Sequence, residues 1–214
     1  MNKIMSVLQE INENLQKGRS KIVCSLVETA LNENFDARDI MQSMMDGMSV
    51  IGEKFKKNEV FVPEVLVAAR AMNKGIDILK PYLQEEGVQA SGRVCIGTVK
   101  GDLHDIGKNL VKLMLESKGL EVIDLGVDVA PETFVQTAID QKCDIICCSA
   151  LLTTTMGIMA DVVEKAKEAG IRDSVKIMVG GAPVDQRFCD SIGADAYTPD
   201  AASAAEAAAA FVNA

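Results

Sequence analysis

The chain has 214 residues, 48% of them hydrophobic, and its 22 Lys and Arg stand against 31 Asp and Glu, a formal charge of −9. That length suits one large or two small domains with real cores, and the acidic balance, with no basic cluster to offset it, argues against nucleic acid, because a phosphate backbone would be repelled. No apolar run reaches the roughly 20 residues that cross a bilayer, and "MNKIMSVLQEINENLQK" lacks the apolar core of a signal peptide, so a cytoplasmic protein with no membrane partner is expected.

Residues 1–86 read as helix throughout. "KIMSVLQEINENLQ", "RSKIVCSLVETALNEN", "ARDIMQSMMDGMSVIGEKFKK" and "VPEVLVAARAMNKGIDILKPYLQEE" carry apolar residues at three- and four-residue spacing. Gly18 follows the first segment, Asp36 is placed to cap the third, and Pro63 suits the first turn of the fourth. Four helices in succession predict a small bundle over residues 1–88. Met41, Met44, Met45, Met48, Ile51 and Phe55 form a stripe on the third helix, which reads mainly as bundle core. "EEGVQASGR" (85–93) then loses periodicity, and an interdomain linker is expected over 85–92.

From residue 89 the pattern changes to short apolar runs alternating with amphipathic stretches. "RVCIGTV" (93–99), "LEVIDLG" (120–126), "CDIICCSA" (143–150), "VKIMVGG" (175–181) and the short "ADAY" (194–197) read as strands. "IGKNLVKLMLESKG", "PETFVQTAIDQ" and "TTMGIMADVVEKAKEAG" read as connecting helices, and "DAASAAEAAAAFVN" as a closing one. Uniformly apolar strands joined by helices predict an open, doubly wound parallel sheet of Rossmann or flavodoxin-like type over residues 89–214, making the chain an α/β protein with an N-terminal helical bundle. The six cysteines, Cys147 and Cys148 among them, read as reduced buried thiols. Cys143 and Cys147 come nearest to a metal spacing, but they lack the paired CxxC arrangement of a zinc site.

Ligands of such sheets lie beyond the carboxyl ends of the strands, where "KGDLHDIGKN", "SALLTTT" and "VGGAPV" should converge. The first is no dinucleotide fingerprint, because Gly97, Gly101 and Gly107 do not give GxGxxG, and no phosphate loop, because Lys108 is not followed by Ser or Thr. It does hold the chain's only histidine, His104. One imidazole cannot build a zinc site, but it suffices as the axial ligand of a metal already held in a macrocycle. Asp102, two residues earlier, is placed to accept a hydrogen bond from the other ring nitrogen, which fixes the tautomer and raises the basicity of the nitrogen that binds metal.

"GDLHDIGKN" resembles the DxHxxG signature of cobalamin-binding domains, with Asp102, His104 and Gly107 at the signature positions, and "SALLT" and "GG" match that family's two further motifs in order. "GMSVIGEKFKKNEVFVPEVLVAARAM" is similar to the helical cap beside the cobalamin domain of methionine synthase and of the corrinoid proteins of methylamine, methanol and betaine methyltransferase systems. The two-domain chain as a whole resembles the free-standing corrinoid proteins of those systems. The resemblance implies cobalamin or a related corrinoid as cofactor, cycling through methylcobalamin, cob(I)alamin and cob(II)alamin. His104 would be the lower cobalt ligand, and the detached nucleotide tail would enter a slot formed by Ser149, Leu151, Thr153, Gly180 and Gly181. Thr155 falls where relatives place a Ser that extends the His–Asp hydrogen-bond chain. Phe55, Val62 and Val65 match cap positions over the upper face of the corrinoid.

The same resemblance implies a methyl carrier of one-carbon metabolism, in methanogenesis or acetogenesis, that is not catalytic alone. Its partners would be a substrate-specific corrinoid methyltransferase, a second methyltransferase to coenzyme M or tetrahydrofolate, and a reductive activation protein. Methylamines, betaines, methanol and methoxylated aromatics remain open as donors, with amines preferred. A cap that shields the methyl group in one step and exposes it in the next would require rigid-body motion about the linker. Two alternatives share the signature: the small cobalamin-binding subunit of a mutase, and a cobalamin-based sensor or regulator. The first needs a catalytic barrel, for which 214 residues leave no room unless it is a separate chain, and the second a DNA-binding module that the acidic N-terminal half does not suggest.

Overall fold

The structure, a computed structural model, describes residues 2–85 and 90–213. Residues 86–89 of the expected linker lie outside the described residues. The chain divides into two compact units, Met1–Gln89 and Ala90–Ala214.

The first unit holds α1 (Asn2–Gln16), α2 (Ser20–Asn32), α3 (Ala37–Lys56) and α4 (Val62–Glu85). Each is amphipathic, and burial of the apolar stripes drives the bundle: Ile11 and Leu15 of α1, Val23 and Val27 of α2, and Met44 and Met48 of α3 are fully buried. α1 packs on α2 and α3, and α4 on α2 and α3. The helix starts follow the sequence signals, since the Asp36 carboxylate accepts from the Arg38 N–H at 2.8 Å and Pro63 sits in the first turn of α4. On α3, Met44, Met48 and Ile51 are core, whereas Met41, Met45 and Phe55 are half-buried.

The second unit is built on β1 (Arg93–Thr98), β2 (Glu121–Asp124), β3 (Ile145–Ser149), β4 (Lys176–Gly180) and β5 (Ala196–Tyr197). They form one parallel sheet in the order β2-β1-β3-β4-β5. The intervening helices are α5 (Ile106–Glu116), α6 (Pro131–Asp140), α7 (Ile158–Glu168), α8 (Gln186–Ile192) and α9 (Ala201–Val212). α9 packs against α5, burying Ala201, Ala202, Ala204, Ala205 and Ala208, whose small side chains let the two helices approach closely. α6 packs against α7 and α7 against α8 over a core that includes the fully buried Phe134. A Cβ at Gly97 would meet the Phe134 ring at 2.9 Å, so β1 must be bare there for the ring to lie on the sheet.

Two elements differ from the sequence reading. α8, one of the shortest helices here, was not foreseen, because its seven residues give too little periodicity to stand out. α7 begins at Ile158 rather than at residue 154. The reason is local: residues 151–155 are held in a turn by bonds to a buried carboxylate, described below, and the helix starts only after that loop is complete. The strand order reverses between β1 and β3, which makes the crevice beyond their carboxyl ends the natural ligand position of this sheet.

Candidate corrinoid-binding site

The loop after β1 and the loop after β3 meet at one side chain, Asp102. It is wholly buried, and each carboxylate oxygen serves a different loop. Oδ1 accepts from the His104 backbone N–H at 3.1 Å and lies 2.7 Å from His104 Nδ1. Oδ2 accepts from the Leu151 N–H at 2.7 Å, the Leu152 N–H at 3.2 Å and the Thr155 hydroxyl at 3.0 Å. Burial by itself would raise the pKa of this carboxyl. The bonds from Leu151, from the His104 ring and backbone, and from Thr155 outweigh that penalty and hold Asp102 well below the usual carboxylate range. It is therefore a fixed negative charge at neutral pH.

A permanent carboxylate at Nδ1 makes that nitrogen the protonated one and leaves Nε2 with its lone pair. No described residue bonds Nε2, and 53% of the His104 side chain is exposed. The backbone that carries the ring is fixed as well, because the Thr98 hydroxyl donates to the His104 carbonyl at 2.8 Å. Among the described residues no three His, Cys, Asp or Glu side chains gather to hold a metal ion. Burial pushes Cys147 up to about 12 and raises Cys148 further, which keeps both as neutral thiols.

The surroundings suit a broad, flat, largely apolar ligand. Leu103 and Ile106, either side of the histidine, are 71% and 78% exposed, and Leu151 and Leu152 from the facing loop are exposed too. Large apolar side chains left in water beside a poised imidazole mark a binding surface. Gly107, in the first turn of α5, has nothing within 4 Å of where a Cβ would stand, so nothing in the chain itself requires glycine there. The space suits a ligand that comes close to the backbone.

The third loop, after β4, supplies Gly180 and Gly181. Gly181 has φ +128° and faces the carbonyl oxygen of Ala150 at a separation no Cβ could occupy, so only glycine lets the β3 and β4 loops approach. Beside Gly180 a Cβ would meet only the Thr198 carbonyl, at 3.7 Å. Ser149 is half-buried at the end of β3, and Thr153 is exposed on the loop that follows. In the helical unit, Phe55 and Val62 are half-buried. Val65 departs from the expectation: it is 1% exposed and falls on the buried stripe of α4 with Ala68, Ala69, Met72 and Leu79, a spacing that turns it inward.

Two partners escaped the sequence reading. Lys108, inside the signature stretch, has a side chain only 2% exposed, and its ammonium lies 2.6 Å from Asp124 Oδ1 at the end of β2. Asp124 also accepts from the Gly126 N–H at 2.9 Å. Burial tends to raise the Asp124 pKa, and the Lys108 bond overcomes it and lowers the value. The second is Asp128, whose carboxylate accepts from the Gly101 N–H at 2.7 Å. A lysine on the inner face of an amphipathic helix was the available signal for the first; nothing local marks the second.

Two family models, each described as a B12 binding domain, match residues 92–209 and 7–80. A corrinoid protein of Desulfitobacterium hafniense is 42% identical over 96% of this chain and 97% of its own length. The dimethylamine corrinoid protein of Methanosarcina barkeri is 42% identical over 92% of this chain and 93% of its own. Among solved structures, a cobalamin-binding protein from Desulfitobacterium hafniense superposes with TM-score 0.82 at 28% identity, over 95% of this chain and 98% of that one. The methanol:cobalamin methyltransferase complex of Methanosarcina barkeri gives 0.85 at 29% identity, over 97% of this chain and 80% of that one. Fold and site thus define a cobalamin-binding protein with a lone imidazole at the switch point of the sheet. The chain belongs to the family of B12-binding corrinoid proteins, and its cofactor is cobalamin or a related corrinoid.

Proposed function

We propose that the chain is a methyl carrier that receives a methyl group from a methylated substrate on a partner methyltransferase and delivers it to a second one, for transfer to coenzyme M or tetrahydrofolate. When bound, the corrinoid supplies a cobalt centre that takes up a methyl group as a nucleophile in its reduced state and releases it to an acceptor thiol or amine. The observation that carries the reading is the pairing of a wholly buried, permanently charged Asp102 with an exposed His104. The protein's part would be to offer His104 Nε2 to the corrinoid's metal in one tautomer and one orientation, both held by Asp102. Asp102 is held ionised, so the imidazole keeps its tautomer and its place.

Ser149 and Thr153 offer hydroxyls to the nucleotide tail, Leu151 lines its slot, and Gly180 and Gly181 let it pass near the backbone. Phe55 and Val62 would cover the upper face of the corrinoid, while Val65 belongs to the buried stripe of α4. Among donors, methylated amines are preferred, supported by the trimethylamine and dimethylamine corrinoid proteins among the relatives. Further partners are a substrate-specific methyltransferase and a reductive activation protein, and the place of action is the cytoplasm; no helix among the described residues is long and apolar enough to cross a membrane.

The test is reconstitution of the full chain with hydroxocobalamin under reducing conditions, followed by incubation with purified methyltransferases for trimethylamine, dimethylamine, monomethylamine and methanol. One coloured corrinoid per chain, methylated by an amine methyltransferase in preference to the methanol enzyme, is the expected result. A protein that stays colourless after competent reconstitution, or that no methyltransferase of the panel can methylate, overturns the reading.

A further inference from the structure

We propose that Asp128 is a positioning residue of the corrinoid site, holding the Asp102–His104 turn in register from the side opposite to the β3 loop; this rests on reading His104 as the cobalt ligand.

The turn that carries the histidine is short and begins on a residue with positive φ. Gly101 has φ +84° and a conformation that favours glycine, and it directly precedes the buried Asp102. The loop after β2 contains a matching distortion, since Asp128 has φ +55°, a left-handed backbone that side chains other than Asn and Asp rarely adopt. The two distorted residues are bonded to each other's loop in both directions. The Gly101 N–H donates to Asp128 Oδ1 at 2.7 Å, and the Asp128 N–H donates to the Asp102 carbonyl at 3.0 Å. On either side the loops are joined further, by the Thr98 N–H to the Gly126 carbonyl and the Val129 N–H to the Thr98 carbonyl, both at 3.0 Å.

Asp102 is thereby gripped at two ends. Its carboxylate is held by the β3 loop and its backbone carbonyl by the β2 loop. Oδ1 can stay 2.7 Å from the ring only while the backbone that carries it does not rotate. The carboxylate of Asp128 is exposed and, across the described residues, its recorded bond is to Gly101. An exposed aspartate in a strained conformation, spending its side chain on a neighbouring loop's amide, is what a clamp requires. The β2 loop is thus a fourth loop of the site, acting through the backbone of the Asp102–His104 turn.

Because His104 is the only histidine, its ring nitrogens give a single pair of signals in the full chain labelled with 15N-histidine. At about pH 8.5 an ordinary imidazole is neutral, and a ring fixed in one tautomer shows two widely separated nitrogen resonances, whereas exchanging tautomers bring them together. Asp128→Gly keeps the left-handed backbone and removes the acceptor. Asp128→Asn keeps both. We expect the separation to collapse toward the average in Asp128→Gly and to be retained in Asp128→Asn, with hydroxocobalamin bound about tenfold more weakly by the glycine variant and normally by the asparagine one. Should Asp128→Gly fail to fold, Asp128→Glu carries the test, because it keeps the charge but displaces the acceptor by one methylene, and the same collapse is required. Retention of the wild-type separation in a variant that lacks the acceptor, or its collapse in Asp128→Asn as well, overturns the proposal. The ring is read without corrinoid, so this outcome is independent of whether His104 proves to bind cobalt.

Discussion

The carboxylate of Asp102 and the imidazole of His104 lie 2.7 Å apart, yet one is wholly buried and the other has 53% of its side chain exposed. The pair therefore straddles the protein surface. The buried member is fixed by four N–H and O–H donors besides the ring, and the exposed member is free to take a ligand at Nε2 without disturbing them.

His104→Ala should abolish the nitrogen superhyperfine pattern on the cob(II) electron resonance spectrum, leaving a weakened complex held by the tail-binding loops. A pattern that persists after free corrinoid is removed would show that cobalt takes its lower ligand from elsewhere. Asp102→Asn should retain the pattern, because an amide oxygen still accepts from Nδ1–H, but the bond loses its charged partner. A loss of about 10–100-fold in affinity is expected. Asp102→Ala should also destabilise the apo protein, since the N–H groups of Leu151 and Leu152 lose their acceptor in a part-buried loop, at about 1 kcal/mol each. Thermal denaturation with and without corrinoid separates the two effects.

Gly107→Ala and Gly181→Ala are expected to part company. At Gly107 a methyl group meets nothing within 4 Å, so the melting temperature of the apo chain should hold or rise slightly while hydroxocobalamin affinity falls. At Gly181 the methyl group would occupy the place of the Ala150 carbonyl in a backbone of φ +128°, so the apo protein itself should be destabilised. Equal affinities for wild type and Gly107→Ala would mean that the space beside α5 is not used by the ligand.

The Lys108–Asp124 pair predicts an acid-side dependence of stability. Asp124 has a lowered pKa in the folded chain and about 3.9 when unfolded. The unfolded state therefore binds more protons as the pH falls through that range. The pair's contribution is complete above about pH 5 and declines as the pH drops below about 4 toward the folded value. Asp124→Asn should flatten that part of the profile. Asp124→Ala leaves the Lys108 ammonium, 2% exposed, without its carboxylate, at a cost of about 2–3 kcal/mol, below that of a fully buried pair because Asp124 retains some solvent. Urea denaturation at several pH values measures both.

Phe55→Ala should leave corrinoid bound while exposing the upper axial position, seen as faster photolysis of the methyl–cobalt bond. The half-buried Phe55 contributes little to the bundle core compared with Met48 or Ile51, so the apo melting temperature should change by a few degrees at most. Unchanged photolysis would remove Phe55 from the upper face. Val65→Ala should instead lower the stability of the bundle, by about 1–2 kcal/mol, because its side chain is enclosed on the inner stripe of α4.

The amino-acid sequence by itself determined the parts of this protein that local patterns encode. Helical periodicity placed α1 to α4, apolar runs placed the strands, and Asp36, Pro63 and Gly18 marked where helices begin and end, since each acts on its own stretch of backbone. Asp102 and His104 were legible because they are two residues apart and their chemistry is complementary. What needed the tertiary structure lies at long separation. Three of the donors that hold Asp102 ionised come from 49 to 53 residues away, and two of those are backbone amides, which carry no residue signature. The grip of Asp128 on Gly101 spans 27 residues and depends on two left-handed conformations meeting. Val65 and Phe55 look alike in a hydrophobic pattern, and only the rotation of α4 in its bundle turns Val65 inward. Periodicity says that a side chain is apolar, but the packing of the other elements decides which of its neighbours is protein and which is left to a ligand.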